Sequence, residues 1–153
     1  MFAFNVNDLE LVEGWVQRDP TMRGRFAFPL TAAHGAASSS VIYFEIDAGD
    51  KLLRHTHSAE EILLILHGNA QLEVDGEHVQ GGPGSVVLVP SNAPHSAENT
   101  GTETLKVVGF FAAAGIVHTY EAPIEPFGVD ILITPPPEDA IAATGLRATA
   151  AAS

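Results

Sequence analysis

The stretch that decides the reading is HTHSAEE, residues 55–61, which sets two histidines and two glutamates into seven positions. In an extended strand, side chains two apart share a face, so His55 and His57 offer two imidazoles to one point. Continuing that alternation puts Glu61 on the same side as the histidines and Glu60 on the other, where a solvated charge is expected. A histidine pair alone is weak grounds for a metal site, because seven histidines in 153 residues place two at this spacing by chance quite often.

Working outward, residues 24–133 read as short apolar segments divided by Gly, Pro, Asn and Asp at intervals of roughly 8–12 residues, the spacing of a β-sandwich or barrel. The clearest strands are SSVIYFEIDAGD (39–50), EILLILHGN (61–69), AQLEVDGEHV (70–79), SVVLVPSN (85–92), TLKVVGFFA (104–112) and GVDILIT (128–134). Within the third, Asp75-Gly76 supplies the two positive-φ positions of a tight hairpin turn. Residues 1–38 read as an N-terminal arm in which DLELVEGWV (8–16) and RFAFPLT (25–31) are edge strands or reach across a partner. Residues 39–133 form the barrel. Residues 134–153 carry a proline-rich turn, a short helix EDAIAAT (138–144) signalled by proline before it, acidic residues in its first turn and Gly145 after it, and a tail.

The wider spacing adds what the histidine pair lacks. Gly49, His55, His57, Glu61 and Gly68 stand in one frame, and Gly84, Pro90, His95 and Asn99 in a second. At these positions the chain resembles the cupin superfamily, whose motifs are G(X)5HXH(X)3,4E(X)6G and G(X)5PXG(X)2H(X)3N. The first motif matches throughout. The second departs only at Asn92, where the family has glycine; asparagine is the residue next best suited to a left-handed turn. The resemblance covers residues 49–99, with flanking strands to about 133.

That resemblance implies an all-β fold, a jelly-roll barrel (double-stranded β-helix), with one divalent metal ion held inside by His55, His57, Glu61 and His95. Three neutral imidazoles and a carboxylate make a mixed N/O shell suited to Fe, Mn, Ni, Cu or Zn. Glu61 has a second possible role as a catalytic base. Asn99 is expected to tie down the loop after the His95 strand through backbone hydrogen bonds, and His34, His67 and His78 to be exposed. His118, in GIVHTYEAP (115–123), which reads as a late strand, has no assigned role. The cavity wall is expected from alternate residues of buried strands, namely some of Tyr43, Phe44, Leu63, Ile65, Val87, Val89, Phe110 and Phe111, an apolar setting suited to a hydrophobic or aromatic ligand.

Composition bounds the partners. With no cysteine, thiolate ligands, disulfides and cysteine nucleophiles are excluded. A formal charge of −12 disfavours nucleic acid and anionic membranes, and no run approaches the roughly 20 apolar residues of a membrane span. The chain reads as cytoplasmic. Its basic residues form no run, so a phosphorylated substrate is disfavoured and a neutral or weakly polar small molecule fits better. Two classes of function follow. One is an enzyme, by dioxygenation or by Lewis-acid isomerisation, cyclisation or elimination; the other is a binding module without turnover. A homodimer is expected by resemblance, formed through an edge strand, the Trp15 segment or the outer face of a sheet; elution at the monomer mass would contradict it.

Overall fold

The computed structural model describes residues 1–136, so the helix expected over 138–144 lies outside the described residues. Twelve strands follow one another: Val12–Val16 (β1), Asp19–Leu30 (β2), Ser40–Ile46 (β3), His55–His57 (β4), Glu61–His67 (β5), Ala70–Val74 (β6), Glu77–Gly81 (β7), Val86–Val89 (β8), His95–Asn99 (β9), Leu105–Phe111 (β10), Ile116–Ile124 (β11) and Val129–Thr134 (β12). They form two six-stranded antiparallel sheets, ordered β1-β2-β3-β10-β5-β8 and β12-β11-β4-β9-β6-β7. This is the jelly roll that the sequence predicts.

Turn chemistry explains several connections. Asp75 (φ 52°) and Gly76 (φ 82°) both take left-handed backbone, as the β6–β7 hairpin requires. Asn92 takes φ 60°, the conformation for which the family's glycine is replaced here. Asn99 donates from Nδ2 to the carbonyls of Ile46 and Glu103, both at 2.8 Å, and accepts from Gly101 N–H at 2.9 Å, so it does tie down the loop after β9.

The core lies between the sheets. Phe44, Ile46, Leu63, Ile65, Leu105 and Val107 of the first sheet pack against Ala70, Leu72 and Ala97 of the second. RFAFPLT lies in β2, an interior strand between β1 and β3, whereas β1 is an edge. That edge is closed within the chain: Trp15 N–H donates to Glu125 C=O at 3.0 Å and Glu125 N–H to Trp15 C=O at 2.8 Å, joining the first sheet to the end of β11.

Candidate metal centre

Sheet pairing builds the centre. In the second sheet β4 lies between β11 and β9, and the register aligns Tyr120, His55 and His95 in one row across three strands, with His57 opposite His118 two rows along, on the same face. Directly opposed residues stand with Cβ atoms about 4.5–5.5 Å apart, so the rings must meet. The ring centroids of His55, His57 and His95 are 4.2–4.7 Å from one another, and one ligating nitrogen from each lies within 4.8 Å of the other two. Among the described residues this is the group that could hold a metal ion.

Glu61 enters from the other sheet. The turn at residues 58–60 carries the chain from β4 in the second sheet to β5 in the first, so strand alternation does not run through it. The parity expected from the sequence therefore gives the right residue for the wrong reason: Glu61 points inward because the inner faces of two opposed sheets meet. It is 2% exposed, whereas Glu60 is exposed to solvent. Glu61 Oε2 is 3.3 Å from His57 Nε2 and 3.6 Å from His95 Nε2.

The outer nitrogens are held. His55 Nδ1 is 2.6 Å from Leu53 C=O and His95 Nδ1 is 2.9 Å from Ala93 C=O. A carbonyl only accepts, so both imidazoles carry a proton on Nδ1 and turn Nε2 inward. His57 Nδ1 instead meets His118 Nδ1 at 2.8 Å, and His118 Nε2 meets Thr134 Oγ1 at 2.7 Å.

Electrostatics match a cation. Burial works to raise the Glu61 carboxyl, but the facing imidazoles of His57 and His95 outweigh it and hold the group low, at about 2, so it is ionised. Burial, then the neighbouring imidazoles, pushes His55 well below its usual range; burial likewise lowers His57 against the pull of Glu61. The geometry is attractive without being satisfied: Glu61 Oε2 and His95 Nε2 are buried and have no hydrogen-bond partner. Leaving such atoms unpaired costs on the order of 1–3 kcal/mol each. A cation between them answers both at once, and neutral imidazoles with a carboxylate are the donors a first-row divalent ion takes. The residues fit such an ion.

Gly109 on β10 makes room for the carboxylate. A Cβ at this position would overlap Glu61 Oε1 and meet Ile42 Cγ2 at 2.7 Å. Gly109→Ala is expected to displace Glu61, costing about 1–3 kcal/mol of stability by overpacking, and to weaken metal binding. Parallel thermal melts and zinc titrations check this; a variant matching the wild type in both would show that Glu61 yields freely.

The centre opens on a cleft whose empty space, counted out into the solvent at its mouth, is about 790 Å³. Its walls include Phe44 and Leu63, as expected, together with Trp15, Phe26, Phe28, Ile42, Leu52 and Tyr120. Two expected wall residues face away: Phe110 is 44% exposed on the outer surface, and Tyr43, alternating with Ile42 and Phe44, instead donates its hydroxyl to Glu45 at 2.8 Å. Ile65 and Val89 belong to the core, with Val87 packed against it, and Phe111 packs on the His57 ring. Tyr120 stacks on His55 with centroids 5.1 Å apart; burial raises its phenol, which stays protonated.

His67 and His78 are exposed as read, but His34 is half-buried and accepts from Thr31 N–H, capping a short turn. The residues that the sequence left without a role or did not single out are His118 and Tyr120, both on β11. The only signal for them was that GIVHTYEAP reads as a strand.

An inward cluster of three imidazoles, carried on one sheet of a jelly roll and faced by a carboxylate from the other, defines a class of β-barrel whose interior could hold a metal ion. Residues 42–112 match the cupin domain, so the chain carries a cupin domain over that stretch. An uncharacterized protein of Methanocaldococcus jannaschii is 34% identical over 64 residues, covering 41% of this chain and 51% of the relative. The chain thus spans about half the length of the curated relative it matches. Oxalate decarboxylase of Lactobacillus farciminis superposes with a TM-score of 0.65 at 22% identity, over 77% of this chain and 35% of that one. A polyketide cyclase of Streptomyces resistomycificus superposes with a TM-score of 0.59 at 19% identity, over 72% of this chain and 78% of that one. At these identities the likeness speaks for the fold.

Proposed function

We propose that this chain is a metal-dependent cupin enzyme that dioxygenates a small, neutral or weakly polar, aromatic substrate. His55, His57, His95 and Glu61 are its metal ligands, with Glu61 also placed to act as a base. The observation that carries the reading is the convergence of three Nε2 atoms and an ionised carboxylate on the wall of an apolar cavity. A bound Fe, Mn, Ni, Cu or Zn ion supplies Lewis acidity and, where it is redox-active, a means of activating dioxygen.

The chain's own residues account for the substrate. Phe26, Phe28, Phe44 and Trp15 give an aromatic ring its affinity, and they keep water from the face of the centre. Tyr120, whose phenol remains protonated beside His55, is placed to donate a hydrogen bond and fix the ring's orientation. The three basic residues that line the cavity are each paired with carboxylates: Arg25 with Asp47 at 2.8 Å and Glu45 at 3.1 Å, Arg23 with Glu13 at 3.2 Å, and Lys51 with Asp19 at 3.9 Å. A dicarboxylate or phosphate would find these cations already engaged, which favours the neutral substrate.

Elemental analysis of protein purified without added metal, followed by oxygen-uptake assays with catechols, flavonols and diketones, tests the proposal. Oxygen consumption that depends on the ion and on one of these compounds is expected. A redox-inert ion with no oxygen use would replace dioxygenation by Lewis-acid cyclisation or isomerisation; cyclisation is the reaction for which the polyketide cyclase neighbour is named. Tight ligand binding without turnover would make the chain a binding module.

A further inference from the structure

Two of the three inward histidines are fixed by backbone carbonyls, and the third is not. His57 Nδ1 is held by another imidazole, His118, which is fully buried and touches Thr134 Oγ1 through its other nitrogen. Phe28 and Phe111, with centroids 5.2 and 5.9 Å from the His118 ring, occupy its flanks.

An imidazole and a hydroxyl each donate or accept, so this chain has two self-consistent arrangements, both neutral. In the first, His57 Nδ1–H donates to His118 Nδ1, His118 Nε2–H donates to Thr134 Oγ1, and His57 Nε2 presents a lone pair to the centre. In the second, Thr134 Oγ1–H donates to His118 Nε2, His118 Nδ1–H donates to His57 Nδ1, and His57 Nε2–H points at Glu61 Oε2, 3.3 Å away. Only the first leaves His57 able to ligate.

We propose that His118, backed by Thr134, is a positioning residue that sets the tautomer of His57, and that the His57–His118 pair changes tautomer together when a cation enters the centre. This rests on the metal-site reading above. Without an ion, the ionised Glu61 draws the His57 Nε2–H toward itself and selects the second arrangement. With an ion, the pair moves to the first. His55 and His95, facing carbonyls, have no such freedom, so the centre carries one adjustable ligand and two fixed ones. The consequence is that part of the cation's binding free energy is spent in reversing the pair.

Long-range ¹H–¹⁵N correlation of imidazole nitrogens in the full chain, chelated and then zinc-loaded, tests this directly. His118 is expected to carry its proton on Nδ1 in chelated protein and on Nε2 when loaded, with His55 protonated on Nδ1 in both. Calorimetric zinc titrations supply the second readout. His118→Phe, which fills the space but offers no acceptor, is expected to weaken zinc binding 10–100-fold. His118→Gln, whose carboxamide oxygen accepts from His57 Nδ1–H, should recover most of that loss. Thr134→Val, nearly isosteric, guards against a His118 variant that fails to fold and should weaken binding about tenfold. Unchanged His118 nitrogen shifts on loading, or wild-type affinity in both His118→Phe and Thr134→Val, would overturn the proposal while leaving the metal site standing. Absence of zinc binding to the unsubstituted protein would remove the site and this inference together.

Discussion

Replacing His95 with alanine is expected to abolish the thermal stabilisation that zinc gives the wild-type protein. His95 is one of three inward imidazoles, and its Nε2 is buried without a hydrogen-bond partner. Loss of an outer partner of a ligand costs 10–100-fold in affinity, and loss of the ligand itself must cost more than about 100-fold. Ligand present at 100 times its Kd stabilises a folded protein by about 2.7 kcal/mol. For a chain of this size that is about 5–10 °C in Tm. The wild type should show this shift between chelated and zinc-containing buffer, and His95→Ala should show none. The chelated variant, by contrast, should melt within a few degrees of the chelated wild type, because the substitution removes an unsatisfied buried atom along with the ring's packing. His78→Ala, on the exposed hairpin, is the control that keeps the full shift. A zinc-dependent shift surviving in His95→Ala would mean that the ion binds elsewhere.

How far this centre could be read from the sequence depends on how local each constraint is. The hairpin at Asp75-Gly76 and the left-handed Asn92 were legible because a turn's backbone angles select its residues directly. His55 and His57 were legible because alternation within one strand is a local rule. Glu61 follows from the spacing of the motif; extending the rule to it crosses a turn where the chain changes sheets, so alternation is not what turns it inward. The cavity wall was read less well. SVIYFEI is apolar on both faces, and nothing within such a run says which residues point inward. Ile42 and Phe44 do, so Tyr43 does not.

His118 and Tyr120 lay beyond local rules altogether. They reach His57 and His55 from about sixty residues away, and only the sheet order that sets β11 beside β4 brings them there. The same holds for Trp15, Phe26 and Phe28, which enter the cavity because β1 and β2 extend the first sheet over its mouth. Sequence motifs thus point to the inward cluster, while long-range pairing determines what surrounds it.

That surrounding burial has a consequence for stability that can be measured without any ion. The chelated protein is expected to lose conformational stability steeply as pH falls below about 6.5. Burial first, then neighbouring imidazoles, pushes His55 and His118 well below the ordinary value of 6.5, and burial lowers His57 as well. In the unfolded chain these histidines take up protons near 6.5; in the folded chain they do not. The unfolded state therefore binds more protons below that pH, and stability must fall as pH falls. Each fully suppressed histidine contributes up to about 1.4 kcal/mol per pH unit, so His55 and His118 alone give roughly 3 kcal/mol per unit. His57 adds less, since Glu61 favours its charged form. Glu61 acts in the same direction at lower pH: held at about 2 in the folded chain against 4.5 ordinarily, it contributes stability that is complete above 4.5 and is lost as pH drops toward 2. Urea unfolding of chelated protein at pH 8, 7, 6 and 5 should give a plateau at the first two values and a loss of several kcal/mol by the last. His118→Phe, with one titrating ring removed, should show about half the slope. A wild-type profile that stays flat from pH 7 to 5 would require the imidazoles to accept protons within the fold, and a cluster that accommodates charge so readily would not be the dry, neutral donor set on which the metal reading depends.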